Sequence, residues 1–225
     1  MALATVYTRA QSGLEALQVT VEVEVAGGLP SLTVVGLVET AVRESRERVR
    51  AAIRSAGFEF PNGRVTINLG PADLPKAGSR FDLAIAIGIL VATGQLPADR
   101  LGGHELFGEL SLSGALRSVP ALLPALLAAR RAQRTSILPQ GCEAEAALLP
   151  AAANLLAPHL LDVARYLRGE SPLAGPGTTP ASNPVANAPD LADVRGQLLA
   201  RRALEIAAAG GHHLLLVGPP GTGKS

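Results

Sequence analysis

An α/β fold is predicted from three observations. Val19, Val21, Val23 and Val25 alternate with Thr20, Glu22 and Glu24, the period-two pattern of a strand with one wet face. The unbroken run Leu83-Ala84-Ile85-Ala86-Ile87-Gly88-Ile89-Leu90-Val91 reads as a helix surrounded on all sides. Further on, Leu214-Leu215-Leu216-Val217 reads as a buried strand running into Gly218-Pro219-Pro220-Gly221-Thr222-Gly223-Lys224-Ser225, which fits G-x-x-x-x-G-K-[ST] in full. Strand-type and helix-type periods interleave, and no internal repeat is found.

In chain order, residues 5–8 form a first strand and the valine strand follows. Gly27-Gly28-Leu29-Pro30 is turn chemistry, and 31–35 is expected to return as the hairpin partner of the valine strand. A helix over 39–56 places Val42, Ser45, Val49, Ala52, Ile53 and Ala56 on one face to cover that hairpin, and Gly57 ends it. The far face carries Arg43, Arg46, Arg50 and Arg54, spaced three and four apart. Two readings of this stripe stay open. It is a solvated face with Arg43–Glu47 and Glu44–Arg48 pairs, or it contacts DNA phosphates or another subunit.

Phe60-Pro61-Asn62-Gly63 turns the chain, 65–69 is a strand, and 70–78 is a loop into the buried helix, predicted over 81–93. Asp82 falls in the first turn of that helix, where a carboxylate favours the dipole, and is read as a cap. A strand is expected around 106–110, a turn at Ser113-Gly114, a helix near 122–131, a strand over 136–138, and helices over 143–149 and 160–167. Pro172, Pro176, Pro180, Pro184 and Pro189 stand among Gly, Ser, Thr, Ala and Asn, which marks 169–189 as a linker. Beyond it, 190–197 leads a helix to Ala209 that Gly210-Gly211 closes. The domain plan is therefore 1–168, a linker at 169–189, and 190–225.

Composition narrows the function classes. A hydrophobic content of 48% excludes disorder throughout. The formal charge of +1 gives no global electrostatic case for nucleic acid, so any DNA contact must be a local patch. Tryptophan is absent and aromatics make up 3%, which argues against a base-stacking platform for single strands. The single cysteine, Cys142, cannot form an internal disulfide and fits a reducing cytoplasm. Positions 1–14 lack the apolar core of a signal peptide, and 83–94 is shorter than the roughly 20 residues that span a bilayer. The expectation is a cytoplasmic protein with no membrane partner.

The residue types of the closing motif answer the needs of phosphate binding. Glycines let backbone N–H groups turn onto the phosphates, Lys224 reaches the β and γ phosphates of ATP, and the Ser225 hydroxyl holds Mg²⁺. A P-loop works by opening a helix whose N-terminal amides face the phosphates. That helix, the acidic strand end of the Mg²⁺ site and an arginine finger are not in the sequence. The chain is thus expected to be the front portion of a longer ATPase, inactive alone, with its P-loop distorted.

Several stretches carry a family resemblance that covers nearly the whole chain. They are Gly28-Leu29-Pro30-Ser31 with Val35-Gly36-Leu37, Val42 through Arg50, Asn68 through Lys76, Arg80-Phe81-Asp82-Leu83, Gly108-Glu109-Leu110, and Ala203 through His212. On these the sequence resembles the YifB/ComM-type magnesium-chelatase-like AAA+ ATPases. The resemblance implies a first domain like the proteolytic domain of Lon, a ribosomal-S5-like α/β fold, followed by an AAA+ module of the metal-chelatase type. It further implies a homo-hexameric motor that uses ATP and Mg²⁺ and drives branch migration of DNA during natural transformation. An alternative is the motor subunit of a magnesium chelatase, which would remodel a partner protein and ignore DNA.

The likeness to Lon raises a third reading, an ATP-dependent Ser–Lys protease. Alignment on Pro75-Lys76-Ala77-Gly78 puts Arg80 where the nucleophilic serine would stand and Leu123 at the general-base lysine, and neither side chain can do that chemistry. Ser79 and Lys76 leave a shifted dyad open to geometry. No catalytic residue is assigned. His104 and His159 lack Cys or acidic partners at ligand spacing, and His212 and His213, between a helix end and a strand, are read as capping carbonyls, so no zinc site is expected. Asp73, Asp82 and Glu109 are expected to pair with Lys76, Arg80 or Arg117.

Overall fold

The valine alternation becomes β2 (Glu15–Ala26), in which Val19, Val21 and Val23 are fully buried and Thr20, Glu22 and Glu24 half-buried. Each such valine contributes on the order of 2 kcal/mol on leaving water. A computed structural model describes residues 2–37, 39–149, 153–177 and 190–221, with the backbone alone at 2, 40, 41 and 43. From Glu15 to Val25 β2 pairs antiparallel with β1 (Ala2–Ser12), through a turn at Gly13-Leu14. The hairpin is therefore β1–β2, with a first strand longer than residues 5–8.

β3 (Ser31–Val35) does not return onto β2 as expected. It pairs parallel with β4 (Arg64–Gly70), and β4 lies antiparallel on β2. The reason is apolar matching: Val65, Ile67 and Leu69, all fully buried, stand opposite Val25, Val23 and Val21. Leu32 and Val34 of β3 are only half-buried, so β3 takes the edge. Helix α1 (Thr40–Ser55) carries the chain from β3 to β4, as a parallel connection requires, and buries Val42, Ser45, Val49, Ala52 and Ile53.

The buried apolar run forms α2 (Asp82–Ala92), packed on β1 and β2. Gly88 permits the close approach, since a Cβ there would lie 2.6 Å from Val23 Cγ2. The predicted single strand at 106–110 is two strands in different sheets, β5 (His104–Leu106) and β6 (Glu109–Leu110). The chain bends between them at Gly108, whose φ of 151° excludes an L side chain. β6 pairs with β7 (Leu116–Arg117), a strand too short to show a period. Next come α3 (Leu123–Arg131), β8 (Thr135–Pro139), α4 (Glu143–Ala146), β9 (Asn154–Ala157) and α5 (Leu160–Arg168). The helix expected over 143–149 is thus shorter, and β9 was not expected.

The main sheet has the order β3-β4-β2-β1-β5-β8-β9, with parallel pairing from β1 through β5 and β8 to β9. Neighbours in β8 and β9 point to opposite cores. Ile137 and Ala157 join the cluster with α2 and α5, whereas Leu138 and Leu156 join the one with Leu126 of α3 and Ala146 of α4. Both faces are covered there, so these strands show no wet alternation. A buried ion cluster ties β1 to β5: Arg9 makes two 2.7 Å bonds to Glu105, and Arg134 reaches the same carboxylate at 3.3 Å.

The start of the expected linker is packed rather than loose. Leu156 N–H donates to the Ala174 carbonyl at 2.8 Å, Gly177 N–H to Glu143 at 3.0 Å, and Pro176 is buried. The free edge of β9 supplies the bonding partner that composition does not reveal. Residues 178–189 of the linker lie outside the described residues. Contacts divide the chain into Met1–Pro180 and Ala181–Ser225.

In the second unit the Asp190 side chain caps a short 3-10 turn, Leu191–Asp193, and α6 (Leu198–Gly210) follows, closed by Gly211 at φ 63°. No residue of α6 is buried. Leu214–Val217 is not a strand, contrary to expectation. A strand exists only through ladder partners, and the described residues of this unit offer none.

Candidate functional site

Of the phosphate-binding motif, Gly218, Pro219, Pro220 and Gly221 are described, exposed and outside any helix or strand. Gly221 holds φ at 80°, a conformation the Gly-rich loop needs glycine to reach. Thr222, Gly223, Lys224 and Ser225, the residues that would hold the β and γ phosphates of ATP and the Mg²⁺, lie outside the described residues. The candidate chemistry of the motif rests on residue type and spacing.

The arginine stripe on α1 is not uniform. Arg46 and Arg54 are exposed, and Arg46 donates to the Leu32 carbonyl at 3.4 Å. Arg50 is half-buried, its guanidinium 5.1 Å from the centre of the Phe60 ring, so much of its role is to cover the core. The side chain of Arg43, and with it the Arg43–Glu47 pair, lies outside the described residues.

One open reading of this face pairs Arg48 with Glu44; the guanidinium reaches across to Asp82, and Glu44 adds only a smaller attraction. Arg48 Nε donates to Asp82 Oδ2 at 2.8 Å and its Nη2 to Oδ1 at 3.2 Å. The Ser45 hydroxyl and the Leu110 N–H also donate to this carboxylate, which is fully buried. Burial pushes the Asp82 carboxyl above its ordinary range, against the pull of Arg48 and Ser45. Asp82 is therefore the partner of α1, not a cap on its own helix: its buried carboxylate is satisfied by bonds from other elements. Glu109 lies 3.5 Å from Arg117 and accepts from Ser79. The acidic residues do not gather, and no group that could hold a metal ion is found among the described residues.

The shifted protease dyad is not formed. Ser79 Oγ donates to Glu109, while Lys76, fully buried, donates through Nζ to the Pro71 carbonyl. Burial lowers the Lys76 pKa against the attraction of Asp73. His159 caps α5, its Nδ1 accepting from Leu161 N–H at 3.1 Å while its Nε2 faces the Ser113 carbonyl at 2.9 Å. His104 stands between the Arg100 carbonyl and the Tyr166 hydroxyl, and His212 closes α6 through its backbone N–H. These contacts account structurally for His104, His159 and His212.

A cavity of about 360 Å³ opens beside the loop that enters α2, lined by Gln11, Ala77, Gly78, Ser79, Arg80, Val119 and Pro120. Arg80 is 7% exposed; its Nη2 donates to the Pro120 carbonyl at 2.8 Å, and its Nη1 is buried with no hydrogen-bond partner. Burial lowers the Arg80 pKa, with Glu145 the one carboxylate that raises it. No sequence pattern announces this cavity, because a buried arginine looks like a surface one in a sequence.

Comparison with known proteins matches residues 21–141 to the family described as subunit ChlI of Mg-chelatase. Residues 190–225 match the family described as magnesium chelatase, subunit ChlI. The chain is 50% identical over 225 residues to YifB of Salmonella typhimurium and 49% identical to YifB of Escherichia coli, in each case across 100% of this chain and 44% of the relative. It is 47% identical over 231 residues to the competence protein ComM of Haemophilus influenzae, across 45% of that protein. The chain thus spans less than half the length of the curated relatives it matches.

Proposed function

Because the chain belongs to the YifB/ComM family of magnesium-chelatase-like AAA+ proteins, we propose that it forms the leading part of an ATP-driven motor that acts on DNA. The observation that carries the ATP half of this reading is the motif Gly218–Ser225, inside the stretch matched to the chelatase ATPase subunit. Lys224 would engage the β and γ phosphates and Ser225 the Mg²⁺, with the remaining nucleotide contacts supplied by the rest of a homo-hexameric protein in the cytoplasm.

The first unit would serve as a Lon-like, S5-like domain without a protease dyad. Its mixed sheet is compatible with that assignment, and the separate engagements of Ser79 and Lys76 argue against proteolysis. The DNA half rests on the exposed Arg46 and Arg54 of α1 and on a relative named as a competence protein, with branch migration in recombination as the activity proposed. Replacing Arg46 and Arg54 by Glu in the protein at its relatives' full length is expected to weaken binding to branched DNA and to flatten its salt dependence. Unchanged binding across several salt concentrations would remove this surface from the account.

The chelatase-type alternative, a motor that remodels a partner protein, is favoured by one specific observation: both family matches carry a chelatase-subunit description. It predicts ATP turnover indifferent to every DNA.

A further inference from the structure

The chain that follows α5 lies on the main sheet by few contacts, spread along its length. Gly169 closes α5 at φ 77°, and the chain then runs antiparallel to β9 along the outer edge of the sheet. Over residues 171–177, Ser-Pro-Leu-Ala-Gly-Pro-Gly, two hydrogen bonds tie this strap to the rest of the first unit among the described residues. Leu156 N–H donates to the Ala174 carbonyl at 2.8 Å, and Gly177 N–H donates to Glu143 Oε1 at 3.0 Å. Leu173 packs half-buried against the core and Pro176 is buried, whereas Pro172, Ala174, Gly175 and Gly177 are exposed.

Composition keeps this attachment sparse. Pro172 and Pro176 have no N–H to add to a ladder, and Gly175 and Gly177 lose the most chain entropy on being held. The bridge between Leu156 and Ala174 is the pairing that β9 receives on this side. Every ordered residue costs entropy whether or not it makes a bond, so a segment held only at Leu173, Ala174, Pro176 and Gly177 sits near balance, unlike the interior strands. Pro176, with its φ fixed, stands between the two hydrogen bonds, so the loss of one loosens the other.

We propose that residues 171–177 are a captive edge strap, released from β9 as one unit without unfolding of the sheet, with the Glu143 carboxylate as its clasp. Release frees the Leu156 N–H on the sheet edge, the kind of group through which an extended segment of another chain adds a strand. It also removes one wall of a cavity of about 380 Å³ at the carboxyl ends of β8 and β9, which the strap lines from Ser171 to Gly175, opposite Gln140 and Pro158. The device is independent of the nucleotide motif and of the arginines of α1.

The test is native-state hydrogen exchange of the 225-residue chain, read by NMR at several low denaturant concentrations. The amides followed are those of Leu156, Gly177 and Phe107. Phe107 N–H, bonded to the Ile137 carbonyl at 3.0 Å in the core, reports unfolding of the first unit. Leu156 and Gly177 should share one opening equilibrium, at least about 100-fold more populated than that of Phe107 and nearly independent of denaturant, because little surface is exposed. Glu143→Ala should speed the exchange of Leu156 about fivefold, although the acceptor of that amide on Ala174 is untouched. Leu173→Ala should speed Leu156 and Gly177 by a common factor of about ten. Leu156 following Phe107 in rate and denaturant slope, unequal openings for Leu156 and Gly177, or a Leu156 amide indifferent to Glu143→Ala would overturn the proposal.

Discussion

Apolar residues meet opposite fates in the two units of this chain. In the first, Val21, Val23, Ile67, Ile85 and Leu106 are fully buried or within 1% of it, and the buried carboxylates Asp82 and Glu105 are matched by Arg48 and Arg9. In the second, Leu198 is 76% exposed, Leu199 89%, Leu215 84% and Val217 87%. The first unit holds both layers it needs, a sheet and the helices that cover it. The second presents one helix and an apolar run suited to the interior of a parallel sheet, and its described residues provide no neighbouring strands. Folding stability is therefore a property of the first unit, and the proposed nucleotide chemistry belongs to the second.

The sharpest way to separate them is Lys224→Ala in the longer protein. It should lower ATP turnover by at least about 100-fold, the scale expected when a positioned charge on the transferring phosphoryl group is lost, and leave the thermal unfolding of the first unit unchanged. A parallel fall in stability would break the comparison.

Arg48→Met should have the largest effect on the first unit, about 3 kcal/mol in denaturant unfolding, because Asp82 is left buried without its ionic partner. Joining it to Asp82→Leu should recover most of that loss. Gly88→Leu should cost about 1–3 kcal/mol by overpacking against Val23.

The legibility of these features in the sequence follows the same divide. β2 was readable because one of its faces is wet and the other dry, which leaves a period of two. β9 was not readable, because both its faces are covered and its four residues are too few for a pattern. The Arg48–Asp82 pair is hidden since its partners lie 34 residues apart, while Glu44 offers a local alternative at helical spacing. Leu214–Val217 is the converse case: its composition demands a strand, and strand formation depends on partners no local pattern contains. The cavity beside Arg80 was invisible for the same reason, since it is made by Pro120 and Gln11 arriving from elsewhere in the chain.

Lys76→Met carries a smaller effect with a sign fixed by pH. Burial lowers the folded-state pKa of Lys76 below the ordinary 10.5, so the unfolded chain binds the proton more tightly. Wild type should gain stability relative to Lys76→Met as pH rises through the folded value toward 10.5, followed by chemical denaturation across the alkaline range. Smallest of all, Leu215→Ser should change the unfolding of the 225-residue chain by less than about 0.5 kcal/mol, in keeping with its exposure.

The most direct test of the central claim is the ATPase rate of the protein at its relatives' full length, measured with and without single-stranded, duplex and branched DNA at two salt concentrations. A DNA motor predicts stimulation, greatest with branched DNA and weaker at the higher salt. Robust turnover that ignores every DNA at both salt concentrations would contradict it and point to a motor that remodels protein.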